Sequence, residues 1–370
     1  LEYTYKMRPT ISCIGTANPP HRIAQQDIAE FMIRAHQLKN GERERMMALY
    51  RATGIEYRYS VLSDYGSELG SFQFYSNRAD LEPFPTTARR NQLYQKEALG
   101  LAVSAVNDCL PPETDVGSFT HLITVSCTGL YAPGLDIELI SALGLKTNIQ
   151  RTAVNFMGCY AAFSGIKLAQ AICTSDAQAK VLVVCLELCS IHFQKETQED
   201  FILSNALFGD GAAALVMETP NEQGGLEVLA TYGEILPAGA HEMAWQVGDL
   251  GFEMRLSRYV PDLISDGIEQ LTQNLLKQGS WTLNDIDYYA IHPGGKRILA
   301  CIQQALNITS EQNQPAYQVL RQFGNMSSPT ILFVLKEIWD NLTEQDLDKK
   351  ILSFAFGPGL TMESMILKIR

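Results

Sequence analysis

Apolar positions recur along the chain in two rhythms. Between Asp27 and Gln37, Ile28, Phe31, Met32 and Ala35 fall on one face, which predicts an amphipathic helix. A stretch of mixed basic and acidic residues follows from Lys39 to Arg58. After the loop ending in Glu82-Pro83-Phe84-Pro85, Thr87 is placed to cap a second helix. That helix runs to about Cys109, and Pro111-Pro112 stops it. His121–Ser126 has a different pattern, a short apolar run followed by Thr128-Gly129, and predicts a buried strand. Strand-like and helix-like segments then alternate, which predicts a layered α/β architecture with parallel strands. The polar, turn-rich segment Glu218–Gly225 separates two halves, residues 1–222 and 223–370.

The halves repeat one another. The apolar strand ending at Ser126-Cys127 matches Tyr288–His292, and Gly158-Cys159 matches Gly324-Asn325. The offsets are 165 residues (292 − 127) and 166 residues (325 − 159), a near-constant period that marks an internal duplication. Phe208-Gly209-Asp210-Gly211 pairs with Phe356-Gly357-Pro358-Gly359 at a shorter offset of 148 (356 − 208), so the second half has lost a segment. A duplicated α/β unit brings equivalent loops together, and ligands in such sheets sit beyond the carboxyl ends of strands. Cys159, His292 and Asn325 all lie just after strands or open helices and are expected to converge.

Charge narrows the partners. Lys plus Arg is 29 and Asp plus Glu is 41, a net charge of −12. This disfavours nucleic acid as a partner. It leaves room for an anionic small substrate at a locally basic mouth. Runs such as Val181–Leu186 are too short to cross a bilayer, and Leu1–Lys6 has no apolar signal core. The chain has eight cysteines and no Cys-x-x-Cys pair, so zinc is not expected. Together these features read as a reduced, cytoplasmic protein without membrane insertion.

Three residues carry candidate chemistry. Cys159 opens a small, apolar segment running to about Cys173 that reads as a buried helix. A thiol in the first turn faces the positive end of the helix dipole, which lowers its pKa, and a nearby imidazole lowers it further. A core cysteine at a tight turn is the plain alternative. His292 is delivered by a strand and followed by Pro293-Gly294-Gly295, a forced turn before a helix from Lys296 to Leu306. Asn325 precedes Ser328, suited to cap a helix, and Pro329, suited to its first position. Its amide can donate hydrogen bonds to a developing oxyanion. For His292 and Asn325 a structural histidine and a turn-forming asparagine are the plain alternatives.

Five blocks make the pattern specific: Met157-Gly158-Cys159-Tyr160-Ala161, Ala206-Leu207-Phe208-Gly209-Asp210-Gly211-Ala212-Ala213, Ile291–Gly295, Gly324–Ser328 and Phe356–Gly359. In order and spacing they resemble the type III polyketide synthases, the chalcone synthase superfamily, from about Pro9 to the end. The resemblance implies a thiolase-like αβαβα fold, a homodimer, and a Cys-His-Asn centre with no metal or prosthetic group. It implies that Cys159 takes the acyl starter, and that His292 and Asn325 hydrogen-bond the malonyl thioester oxygen during decarboxylation. Phe208 and Phe252 resemble the family's gate and wall aromatics, and Pro358 lies in its cavity-shaping loop.

Cys127, Thr128, Ala132, Cys189, His192, Met243 and Ser327 fall at positions read as shaping the substrate cavity. Arg45 and Arg51 fall roughly where basic tunnel residues bind CoA, and Lys296 is a further candidate. Ala132 stands where plant enzymes place a Met that crosses the dimer interface. Cys189 and His192 replace two plant Thr residues, and Met243 replaces a Gly. These changes suggest a bacterial enzyme using an aliphatic acyl starter, with alkylresorcinol or alkylpyrone products. Malonyl-CoA and acyl-CoA, or thioesters on an acyl carrier protein, are the expected substrates. The rivals are a priming ketoacyl-carrier-protein synthase, a papain-like Cys-His-Asn hydrolase and a silent scaffold. Against the first, His292 is followed by Pro-Gly-Gly; against the second, the duplicated Gly-rich blocks have no role there.

Overall fold

Residues 8–219 and 224–370 are described by a computed structural model. Leu1–Lys6 and half of the turn-rich segment separating the halves, residues 220–223, lie outside the described residues. The first half contains β1 (Thr10–Ala17), β2 (His21–Ala24), α1 (Gln25–Ala35), α2 (Gly41–Ala52), β3 (Tyr57–Ser60), α3 (Thr87–Cys109), β4 (His121–Ser126), α4 (Leu135–Leu143), β5 (Gln150–Asn155), α5 (Ala161–Ser175), β6 (Lys180–Leu188), α6 (Glu199–Leu207) and β7 (Asp210–Glu218). The second contains β8 (Leu226–Ile235), β9 (Met243–Gly248), β10 (Gly251–Leu256), α7 (Val260–Lys277), β11 (Tyr288–Ile291), α8 (Lys296–Ala305), α9 (Gln314–Phe323), α10 (Thr330–Trp339), β12 (Lys350–Gly357) and β13 (Thr361–Ile369).

The strand order β11-β12-β13-β8-β1-β7-β6-β4-β5 shows the repeat directly. Outward from the centre, β1, β7, β6 and β4 correspond to β8, β13, β12 and β11. The pairing sense repeats as well. β4 and β6 are parallel, as are β11 and β12, whereas β6–β7 and β12–β13 are antiparallel. Within the sheet the halves join through β1 and β8, paired at Thr10↔Glu227 and Ile11↔Leu226. β5 has no counterpart in the second half. It forms one edge of the sheet and is largely exposed.

Side-chain alternation explains the layers. Along β6, Val181, Val183 and Cys185 enter one core while Leu182, Val184 and Leu186 enter the other. The first core also contains α5, α7, α8 and α10; the second contains α1 and α3. α5 and α10, equivalent in the repeat, both lie in the first core, which explains why their sequences are apolar on most faces. This is the layered, thiolase-like α/β arrangement.

Local boundaries differ from the sequence reading where capping decides them. Thr86, not Thr87, caps α3, accepting from the Arg89 N–H at 3.4 Å. α10 starts at Thr330 with Pro329 as its flanking residue, and Ser328 is drawn away to donate to Glu187 at 2.7 Å. His292 follows β11 directly, so the strand ends one residue earlier than expected.

Candidate active site

Three loops from the two halves meet in the buried interior. After β5 the chain turns through Phe156 and Gly158 with φ of 58° and 76°, both left-handed. A Cβ on Gly158 would lie 2.3 Å from Pro358 Cδ, so only glycine lets the Pro358 loop pack on this turn. The turn Gly158–Tyr160 precedes α5 and contains Cys159, which is 4% exposed. Asn325 sits between α9 and α10. Its N–H donates to the Leu207 carbonyl at 3.0 Å and its carbonyl accepts from the Gly209 N–H at 2.9 Å. The loop carrying Phe208 therefore fixes Asn325.

The Asn325 side chain is oriented as well as placed. Its Oδ1 accepts from the Ser327 N–H at 2.8 Å, and Ser327 itself takes a φ of 59°. The amide lies 3.9 Å from Cys159 Sγ, although the two residues are 166 apart in sequence. Nδ2 also donates to the Gly294 carbonyl at 3.5 Å, two residues after His292. His292 is 1% exposed, and neither ring nitrogen has a hydrogen-bond partner. Unpaired buried polar atoms are rare in proteins, so the two nitrogens of this imidazole are available to meet a ligand.

Electrostatics here differ from the sequence expectation. Burial pushes the Cys159 thiol up to about 11, with the Ser327 hydroxyl and the Asn325 amide pulling the other way. Burial pushes His292 down to about 3. The expected lowering of the thiol is absent because desolvation outweighs the dipole, and Cys159 precedes the α-helix proper in a tighter turn. Both shifts favour the neutral forms of the thiol and the imidazole.

The predicted cavity residues divide into walls and framework. Phe208, Phe252, Cys189 and His192 line one cavity together with Trp245. Thr128 is fully buried and is not a wall. Its hydroxyl donates to Glu187 at 2.7 Å and accepts from the Leu188 N–H at 2.9 Å. Cys127 donates to Glu187 through its N–H at 2.9 Å and its thiol at 3.3 Å, with Ser327 Oγ at 3.7 Å from the same sulfur. Met243 starts β9 opposite Leu256 and belongs to the main core. Ala132 is exposed on the surface, joined to Pro133 by a cis bond, and does not line this cavity.

Glu187 was missed by the sequence reading. This buried carboxylate holds Cys127, Thr128 and Ser328 in one network, and burial raises its pKa against the pull of those donors. Its signal was available, since it is the one charge after Lys180 in the otherwise apolar run of β6.

The basic candidates fall in different places. Arg45 and Arg51 are exposed on α2 and do not line the groove that leads past Gly294 and Gly295. α2 presents Leu49 and Ala52 there instead, because its cationic positions fall on the outer face of the helix. Lys296 does line it, joined by Arg258 and Arg297, which the sequence reading did not select. Arg258 lies 3.7 Å from Glu199 and Arg297 lies 3.5 Å from Asp262, both exposed pairs. Among the described residues no cluster of three or more His, Cys, Asp or Glu side chains is arranged to hold a metal.

Comparison with known proteins covers nearly the whole chain. The family described as chalcone and stilbene synthases, N-terminal domain, matches residues 4–220, and its C-terminal domain matches residues 227–369. A protein named alpha-pyrone synthesis polyketide synthase-like Pks18, from Mycobacterium tuberculosis, is 30% identical over 97% of this chain and 91% of its own length. Type III polyketide synthase C of Arabidopsis thaliana is 28% identical over 98% and 96%. The crystal structure of PKS-I from the brown alga Ectocarpus siliculosus superposes with a TM-score of 0.88 at 26% identity, covering 98% of each chain. The C-terminal type III domain of Steely1 from Dictyostelium also gives 0.88, at 27% identity over 98% and 99%.

Proposed function

The chain belongs to the chalcone and stilbene synthase family, the type III polyketide synthases, and from that premise we propose that it extends an aliphatic acyl starter on Cys159. It is an acyl-transferring enzyme that condenses malonyl-CoA and needs no cofactor beyond its CoA substrates. That membership displaces the carrier-protein synthase and the papain-like hydrolase. Members are generally homodimers acting on CoA thioesters. No helix among the described residues is long and apolar enough to cross a membrane. A cytoplasmic homodimer fits these features, and the exposed edge strand β5 supports pairing with a second copy.

The observation that carries the proposal is the Asn325 amide, held 3.9 Å from Cys159 Sγ and tied to the Gly294 carbonyl two residues after His292, a buried imidazole whose nitrogens are unpaired. His292 takes the thiol proton as the starter thioester arrives. The sulfur attacks the thioester carbon, the C–S bond to CoA breaks, CoA leaves as its thiol with the proton that His292 returns, and the acyl group remains on Cys159. Malonyl-CoA then loses carbon dioxide, and the two electrons of the broken bond form an enolate. His292 and Asn325 donate hydrogen bonds to its oxygen. The enolate carbon attacks the acyl carbonyl, a C–C bond forms and Cys159 leaves as the thiolate. Lys296, Arg258 and Arg297 meet the CoA phosphates at the groove mouth.

The relative named for alpha-pyrone synthesis supports lactone closure to an alkylpyrone over a resorcinol. Mass spectrometry of products from malonyl-CoA with aliphatic and aromatic acyl-CoAs tests this. Triketide or tetraketide pyrones, formed faster from aliphatic starters than from 4-coumaroyl-CoA, are expected. The reverse order would sink the aliphatic reading. Turnover only with acyl groups on a carrier protein would replace CoA as the starter's donor.

A further inference from the structure

The Asn325 amide can meet an enolate oxygen only if its own oxygen is turned away and held. Oδ1 is held by the Ser327 N–H at 2.8 Å, an Asx turn that leaves Nδ2 towards Cys159. The turn depends on Ser327 keeping a φ of 59°, a left-handed conformation that a non-glycine residue holds only with outside support. The two residues between Ser327 and helix α10 do not give that support. The Ser328 hydroxyl is committed to Glu187 at 2.7 Å, and Pro329 has no N–H. Thr330 gives it instead. Its Oγ1 accepts from the Met326 N–H at 2.9 Å and donates to the Ser327 carbonyl at 2.8 Å, while its own N–H reaches the same carbonyl at 3.1 Å. The hydroxyl therefore ties the peptide groups before and after the one that carries the Ser327 N–H. The same oxygen lies 3.5 Å from Asn325 Oδ1. Thr330 and Met326 are fully buried, so bulk water cannot take the hydroxyl's place. Thr330 lines neither the cavity beside Phe208 nor the groove beside Lys296.

We propose that Thr330 is a positioning residue for the decarboxylation step, its hydroxyl holding Ser327 in the turn whose N–H aims the Asn325 amide. The inference rests on the reading that Asn325 donates to the enolate oxygen. Without the hydroxyl, the Met326 N–H loses its partner and the Ser327 carbonyl loses one of two. The left-handed turn then relaxes, the Ser327 N–H leaves Oδ1, and the amide rotates away from its fixed aim. Loading of Cys159 uses the thiol and the His292 imidazole, which this turn does not orient. The loss therefore falls on one half of the cycle.

The test compares Thr330→Val, which has nearly the same volume and no hydroxyl, with wild type, Thr330→Ser, Asn325→Ala and the Asn325→Ala/Thr330→Val double variant. Decarboxylation is followed as acetyl-CoA formed from malonyl-CoA. Loading of Cys159 is followed by mass spectrometry, from whichever of hexanoyl-CoA and 4-coumaroyl-CoA the wild type extends. Thr330→Val should lose about tenfold in kcat for decarboxylation, the cost of a misplaced donor, with KM and the loading rate within about twofold of wild type. Thr330→Ser keeps the hydroxyl and should recover most of that loss. Because Thr330 acts through Asn325, the double variant should decarboxylate no more slowly than Asn325→Ala alone. A folded Thr330→Val enzyme with wild-type decarboxylation, a loss shared equally by loading, or additive losses in the double variant overturns the proposal. Should Thr330→Val fail to fold, Thr330→Ala removes the same hydroxyl without setting a methyl group beside the Met326 N–H, and the same split is required of it. Wild-type decarboxylation by Asn325→Ala would instead sink the reading of Asn325, and the role of Thr330 with it.

Discussion

At the residue scale, the Asn325 amide is the most constrained group in the site. Ser327 fixes its oxygen, the Phe208 loop fixes its backbone, and Nδ2 is left facing Cys159. Asn325→Ala should therefore lower malonyl-CoA decarboxylation by about 100-fold, the usual effect of removing one oxyanion donor, while acyl transfer to Cys159 persists. A loss of both steps together would point to a collapsed site instead. Cys159→Ala should abolish chain extension and leave the melting temperature near wild type, whereas Cys159→Gln keeps decarboxylation because His292 and Asn325 remain. Cys159, His292 and Asn325 were legible in the sequence because each sits in a Gly-rich or Pro-rich turn after a strand or before a helix. The direction of the thiol's shift was not legible, since it depends on how completely the tertiary fold buries the sulfur. Nor was the role of Thr128, whose hydroxyl could be assigned only once Glu187 was seen opposite it.

At the element scale, the turn before α5 is held by a close approach that leaves no room for a side chain. A Cβ at Gly158 would meet Pro358 Cδ at 2.3 Å on a backbone with φ of 76°. Gly158→Ala should lower the melting temperature and cut condensation by more than about tenfold, through left-handed strain of roughly 1–2 kcal/mol together with displacement of Cys159. Thermal melting with product assay checks this, and a fully active variant would show that the turn has slack. Elements with a clean period were read well. β4 was predicted at its observed bounds, and α3 was placed to within a residue of its cap. The helix α2 was not separated from the charged stretch around it, because its residues Gly41–Ala52 bury only Met46 and Tyr50. That the groove is lined by Lys296, Arg258 and Arg297 and not by Arg45 or Arg51 was hidden for the same reason. With so little of α2 buried, spacing could not show which face turns to the groove.

At the scale of the whole molecule, the duplication explains why one site needs both halves. Strand β4 and its counterpart β11 deliver their loops to the same interior, and the sheet order repeats outward from β1 and β8. The offsets in sequence foretold this, while the missing partner of β5 appears only in the strand order. Folding also buries two neutral imidazoles. His192 and His292 are each pushed to about 3 from an ordinary 6.5. Both contribute stability that is complete above pH 6.5 and is lost as pH falls towards 3. Asp210, raised to about 6 by burial, works in the opposite sense and offsets part of the loss below that pH. The melting temperature should fall from pH 7 to pH 4.5, and His192→Gln should show a shallower fall; an identical slope would mean that His192 does not titrate on unfolding.

The most direct test of the account is to incubate the protein with an acyl-CoA alone, quench in acid and map the acyl adduct by peptide mass spectrometry. The account predicts the acyl mass on Cys159 and on none of the other seven of the eight cysteines. It also predicts that the adduct disappears when malonyl-CoA is added before the quench and polyketide is released. An adduct on a different cysteine, or polyketide formed by a Cys159→Ala enzyme, would contradict it.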